Sequence, residues 1–129
     1  MSVNQDFQGY DKGNEFVNFI WKNVPGLGAV IITDKNANVL ECDTSIQFEK
    51  EFSYSYLVQI AKTVSEQFTF TEFHNEMGGL GLTINVFKKY TMLVTSIDSS
   101  RILILIVPNE TDINSSVGFV SNIEEFYKP

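Results

Sequence analysis

The stretch Arg101-Ile-Leu-Ile-Leu-Ile-Val-Pro108 holds six unbroken aliphatic residues and ends at a proline. A half-exposed strand alternates apolar and polar residues, so a strand that is apolar at every position must be covered on both faces. Gly28-Ala-Val-Ile-Ile-Thr33 is a second run of the same kind. Two such strands imply a sheet held between helices, a three-layer α/β (α+β) module. The 129 residues suffice for one domain that buries about two-thirds of its surface without staples. With 43% apolar and 19% charged residues, the composition is that of a globular chain.

Charge narrows the function classes. Sixteen acidic residues against nine basic ones give a net charge of −7. Nucleic-acid binding needs a clustered positive patch, and Lys88-Lys89 is the only adjacent basic pair. A lone cysteine, Cys42, has no intramolecular partner and fits a reducing compartment. Met1-Ser-Val-Asn-Gln-Asp6 lacks the basic-then-apolar pattern of a signal peptide, and no apolar run reaches membrane-spanning length. The expected location is cytoplasmic, with any membrane association borrowed from a partner. Asn109-Glu-Thr111 matches a glycosylation pattern that a cytosolic chain does not meet.

Residues 1–13 are polar and aperiodic and read as an N-terminal arm, leaving 14–129 as the domain. From Asn14, Phe16, Phe19 and Ile20 share a helical face, with Val17 and Trp21 beside it. Val24-Pro-Gly26 ends that helix. The first strand spans about 28–33. Asp34-Lys-Asn-Ala-Asn38 is a turn rich in residues that tolerate left-handed backbone, and Val39-Leu-Glu-Cys42 returns antiparallel. A longer helix over roughly 51–68 carries the inward stripe Leu57, Ile60, Ala61, Val64 and Phe68. Thr69–Gly79 reads as an acidic, aromatic loop. Leu80–Phe87 alternates as a half-exposed strand, Thr91–Ile97 follows, and 101–107 is the apolar strand. A last helix over about 112–127 opens at Thr111 or Asp112.

The two fully apolar strands belong side by side at the sheet centre, which predicts the order 2-1-5-4-3. One long helix should cover one face and the two terminal helices the other. The strand at 80–87 is then a bare edge, and bare edges template another chain.

Few residues suggest chemistry. His74, between Glu72 and Glu76, is a general base or metal ligand only if partners converge on it, and one His with one distant Cys does not make a metal site. A solvated loop residue is the simpler account. Gly78-Gly79-x-Gly81 leads into a strand rather than a helix and lacks a following Lys-Ser/Thr, so it is not a phosphate loop. Asp34 and Asp43 read as turn residues. Cys42, two residues from Leu40 on one short strand, reads as a small buried hydrophobe. Tyr54, Tyr56 and Val58 lie off a stripe that is already filled, as interface residues do. No catalytic residue, cofactor or metal is assigned.

Several strings resemble the Roadblock family of small dimerising proteins. Phe16-Val-Asn-Phe-Ile-Trp-Lys-Asn-Val-Pro-Gly-Leu-Gly-Ala-Val-Ile-Ile-Thr-Asp34 is similar to that family's opening helix, turn and strand. Ile84-Asn-Val-Phe-Lys-Lys-Tyr-Thr-Met-Leu-Val94, continuing through Arg101–Asn109, is similar to its last three strands. A long third helix resembles the roadblock subunits of Ragulator, above all the MEK-partner subunit, more than the dynein light chain members. A bacterial or archaeal roadblock regulator of a small GTPase also fits. The resemblance implies pairing through the third strand and the long helix, with another roadblock-domain protein as partner in a homo- or heterodimer. It places the interface on Leu82, Ile84 and Val86 (or the alternate set), with Tyr56, Gln59, Thr63 and Gln67.

The function it implies is a non-enzymatic scaffold or adaptor: a platform for small GTPases or kinases in nutrient or MAP-kinase signalling, recruited to the late endosome or lysosome through a partner. Two other classes compete. A longin- or profilin-like binding module in trafficking would be a stable monomer, and an enzyme centred on His74 would depend on that side chain.

Overall fold

The computed structural model describes residues 11–71, 82–98, 100–121 and 123, and in the first and the long helix it describes side chains from residue 15 and up to residue 67. The elements are α1 (Asp11–Asn23), β1 (Ala29–Asp34), β2 (Val39–Thr44), α2 (Ile46–Glu51), α3 (Tyr54–Thr71), β3 (Leu82–Val86), β4 (Tyr90–Ser96), β5 (Arg101–Pro108) and α4 (Ile113–Ser121). Every strand pair is antiparallel and the sheet order is β2-β1-β5-β4-β3, as the apolar runs require.

Alternation along β5 divides the core into two layers. Leu103, Leu105 and Val107 point to one face and join Val30, Ile32 and Leu93 beneath α1 and α4, whose Phe16, Val17, Ile20 and Val120 close that layer. Ile102, Ile104 and Ile106 point to the other face and join Ile31, Met92 and Val94 beneath α2 and α3, capped by Phe48, Leu57, Ala61 and Val64. At about 1.5–3 kcal/mol per buried aliphatic side chain, these six residues alone contribute on the order of 10 kcal/mol of gross burial. Charging any one of them would unfold the domain.

The connections follow from local chemistry. Gly26, at φ +76°, makes the left-handed turn after Pro25. Asp34 holds the next turn: Oδ1 accepts from the Asn36 and Asn38 amides at 2.9 Å each, and Oδ2 from Asn38 Nδ2. These bonds, the Asn38 side chain first, keep its carboxyl below the usual range. The residue forced into the left-handed region is Ala37, at φ +68°, and not one of the asparagines. Asp112 is the side chain that starts α4, accepting from the Asn114 amide and the Ser115 hydroxyl.

The structure departs from expectation in several places. The six-residue helix α2 precedes the long helix: Ser45 caps it by accepting from the Phe48 amide, while the Ser45 amide donates to the Gly28 carbonyl. The long helix also continues to Thr71, so residues 69–71 are helical rather than loop. Helix α1 begins at Asp11, three residues before Asn14. Leu40 and Cys42 face opposite sides of the sheet, because the pairing shifts between Ile32 and Thr33 and Leu40 has no partner on β1. Leu40 packs against the α1 layer and Cys42 joins the α3 layer. His74, Leu80 and the glycines at 78, 79 and 81 lie outside the described residues, and of Phe68 only the backbone is described.

Candidate functional site

Among the described residues β3 pairs with β4 alone, so no described strand lies along its outer edge. Its register is unbroken from Leu82 opposite Thr95 to Val86 opposite Thr91. No charged residue falls between Leu82 and Phe87. Three large apolar side chains are exposed here: Ile84 at 46%, Val86 at 71% and Phe87 at 55%. A regularly paired, half-apolar edge strand with neither charge nor bulge lacks two of the protections against strand addition.

The sequence-derived interface residues fall on two sides of this edge. Ile84 lies opposite Leu93, so Leu82, Ile84 and Val86 face the α1 and α4 layer. Leu82 is half-buried against that layer, while Ile84 and Val86 project beyond it. Thr83 and Asn85, opposite Val94 and Met92, face the α3 layer and are half-buried. Tyr56, Gln59, Thr63 and Gln67 are all exposed on one flank of α3.

That flank lies on the β3 side of the helix. Tyr56 stacks on Phe52 at 5.4 Å, and Phe52 meets the edge of Tyr90 at 5.6 Å on β4. On the opposite flank, buried Ser65 exchanges a 2.8 Å hydrogen bond with Thr33 on β1. A chain approaching edge-on therefore meets the β3 backbone, the α3 flank on one side and Ile84 with Val86 on the other.

Two contacts fix the β3–β4 hairpin. Asn109 Nδ2 donates to the Phe87 carbonyl at 2.7 Å and the Lys88 carbonyl at 3.0 Å, while Oδ1 accepts from the Thr91 hydroxyl at 2.6 Å. The Asn109 amide also donates to the Lys89 carbonyl. Tyr90 donates its hydroxyl to Glu51 on α2, and that bond, with lesser burial and charge effects, pushes the phenol up to about 12. Neither residue stood out in the sequence. Asn109 is visible there only as the start of a glycosylation pattern, because the carbonyls it clasps are brought near by pairing.

An open cleft of about 810 Å³ lies at this end of the sheet, between Gly28 and Phe48 on one wall and Lys88, Lys89 and Asn109 on the other. Adding a Cβ at Gly28 would bring it 2.7 Å from the Phe48 ring, so the glycine is what lets α2 sit there. Among the described residues no three His, Cys, Asp or Glu side chains group as metal ligands. No described helix is long and apolar enough to cross a membrane.

Across the sheet, β2 forms the other edge. Trp21 Nε1 donates to Asp43 Oδ2 at 3.1 Å, tying α1 to that strand. Two residues earlier, Glu41 is only 4% exposed, and neither of its carboxyl oxygens has a hydrogen-bond partner. Burial, reinforced by the nearby Asp43 charge, raises its pKa to about 7. The same two causes, in the same order, push the Cys42 thiol up to about 11, so it is not a reactive thiolate.

No family model matches this chain, and no curated protein matches it. Solved structures do. Myxococcus xanthus MglB superposes with a TM-score of 0.73 at 13% identity, covering 91% of this chain and 92% of that one. An MglB in a tetrameric arrangement gives 0.71 at 11% identity, covering 92% and 89%. The Roadblock/LC7 domain of Streptomyces avermitilis gives 0.64 at 10% identity, covering 85% and 86%. At such identities the likeness concerns the fold, and the fold is the roadblock one, with its five-stranded sheet in the order 2-1-5-4-3.

Proposed function

We propose that this chain is a non-enzymatic scaffold subunit that pairs edge-to-edge through β3 and the exposed flank of α3 with a second roadblock-fold chain, its own copy or another. The observation that carries this reading is the contrast within β3 between regular pairing on one side and, on the other, a charge-free edge that no described strand covers. Pairing would seat Ile84 and Val86 against the partner and extend the sheet, with Tyr56, Gln59, Thr63 and Gln67 of each protomer near the junction. The tetrameric arrangement named for one MglB of this fold supports an assembling role. A joined pair offers a broad composite surface, and small GTPases or kinases are the partner classes that the family resemblance brings to it. The finer assignment, a Ragulator-like subunit recruited to the late endosome or lysosome, rests on the same resemblance.

Ile84→Lys tests the pairing. It places a charge where the partner should sit, while the site is exposed enough in one protomer to tolerate it. The expected result is loss of the dimer, read by light scattering across dilution, with helix content retained. A variant that keeps its dimer would refute β3 as the seam, and a variant that unfolds would refute the assigned face. Pull-down of a small GTPase or kinase by the paired protein, lost in Ile84→Lys, would test the platform role.

A further inference from the structure

We infer that the sheet's two edges are built for opposite fates, and that Glu41 and Asp43, with the irregular pairing at Leu40, close the β2 edge so that association stops at the β3 seam. This inference rests on the pairing proposed above, which says what β3 accepts, and adds what β2 refuses.

The two edges differ in charge and in the regularity of their pairing. β3 has no charge and pairs without a break. β2 has two carboxylates in six residues, and its pairing with β1 slips at Leu40. Bulges and inward-pointing charges are the means by which natural edge strands are protected.

Glu41 points inward. Its Cα lies opposite Ile32, whose side chain belongs to the layer beneath α1, and Asp43 lies opposite Val30 of the same layer. The Trp21 indole spans the gap from α1 to Asp43. A strand added alongside β2 would cover half-buried Asp43 from the open side and thicken the apolar surround of Glu41, whose oxygens are already shut off from water. It could offer the two bare oxygens of Glu41 no donor without placing a polar side chain against this apolar layer.

An unprotected β2 would have a consequence for assembly. A chain with one adhesive edge closes as a two-fold pair, whereas a chain with two can keep adding copies. Glu41 is therefore costly to the folded monomer and useful to the assembly, which gives a reason for a buried acid that no hydrogen bond satisfies.

The test compares three proteins: the natural chain, Ile84→Lys, and Ile84→Lys combined with Glu41→Val and Asp43→Asn. The asparagine keeps an acceptor for Trp21 Nε1 while removing the charge. With β3 disabled in both variants, any new association must use another surface. The expected result is that the triple variant gains mass with concentration while Ile84→Lys alone does not. Amides of 39–44 should also become protected from hydrogen exchange in the associated form. A folded triple variant that stays monomeric would overturn the role given to the two carboxylates in closing β2, as would association that leaves 39–44 unprotected. If the valine disturbs folding, Glu41→Leu with Asp43→Asn removes the same charges, leaves no buried polar group at 41 and carries the same two outcomes. The pairing reading fails separately, on the natural chain and Ile84→Lys having the same mass.

Discussion

Glu41 makes stability depend on pH in a direction opposite to most carboxylates. Its folded pKa is about 7 against an ordinary 4.5, so between those values the folded chain binds the proton more tightly than the unfolded chain. Stability must then fall as pH rises from about 4.5 to about 7, and stay low above that. A gap of 2.5 pH units at 1.36 kcal/mol each is about 3 kcal/mol, of which roughly 2.5 kcal/mol falls between pH 5 and pH 8. Replacing Glu41 with Gln removes the proton and with it that slope. Denaturant unfolding of both proteins at pH 5 and pH 8, at one protein concentration, isolates the effect from all other titrating groups. The natural chain should lose about 2.5 kcal/mol relative to the variant between the two conditions. An unchanged difference would mean that the Glu41 carboxylate reaches water, and the buried-acid reasoning would be wrong.

Ala37→Gly should raise stability by about 0.5–1 kcal/mol, read from the denaturation midpoint, because Ala37 holds φ +68° where glycine is unstrained. Asn109→Ala should cost about 1–3 kcal/mol, since it releases the Phe87 and Lys88 carbonyls and leaves the buried Thr91 hydroxyl without its acceptor. The same variant should speed amide exchange at 82–87, and unchanged rates there would show that the clasp does not order β3.

What the amino-acid order reveals is set by range. The aliphatic residues 102–107 have only one stable setting, between two layers, and that placed β5 in the centre and left β3 at the rim. The stripe Leu57, Ala61 and Val64 was equally legible, because helical periodicity is local. The slip at Leu40 is not local: it depends on how β2 meets β1, and it reverses the faces of Leu40 and Cys42. Helix α2 is too short for a period, and Ser45 is followed three residues later by Phe48 rather than Glu, so no capping box announces it. At the candidate site, Tyr56 was legible as an aromatic lying off a filled stripe, whereas Ile84 was placed only by the family resemblance, which left the alternate set open. Asn109 and Glu41 gain their meaning only when β5 approaches the hairpin and α1 crosses β2.

The central claim is that β3 is the seam and β2 is not. Hydrogen exchange on the assembled protein, resolved to single amides, reads both edges at once. The account predicts slow exchange throughout 82–86 that quickens on dilution or in Ile84→Lys, with the outward amides of 39–44 fast under all conditions. Fast exchange along β3 in an assembled sample, or protection of β2 in its place, would contradict it.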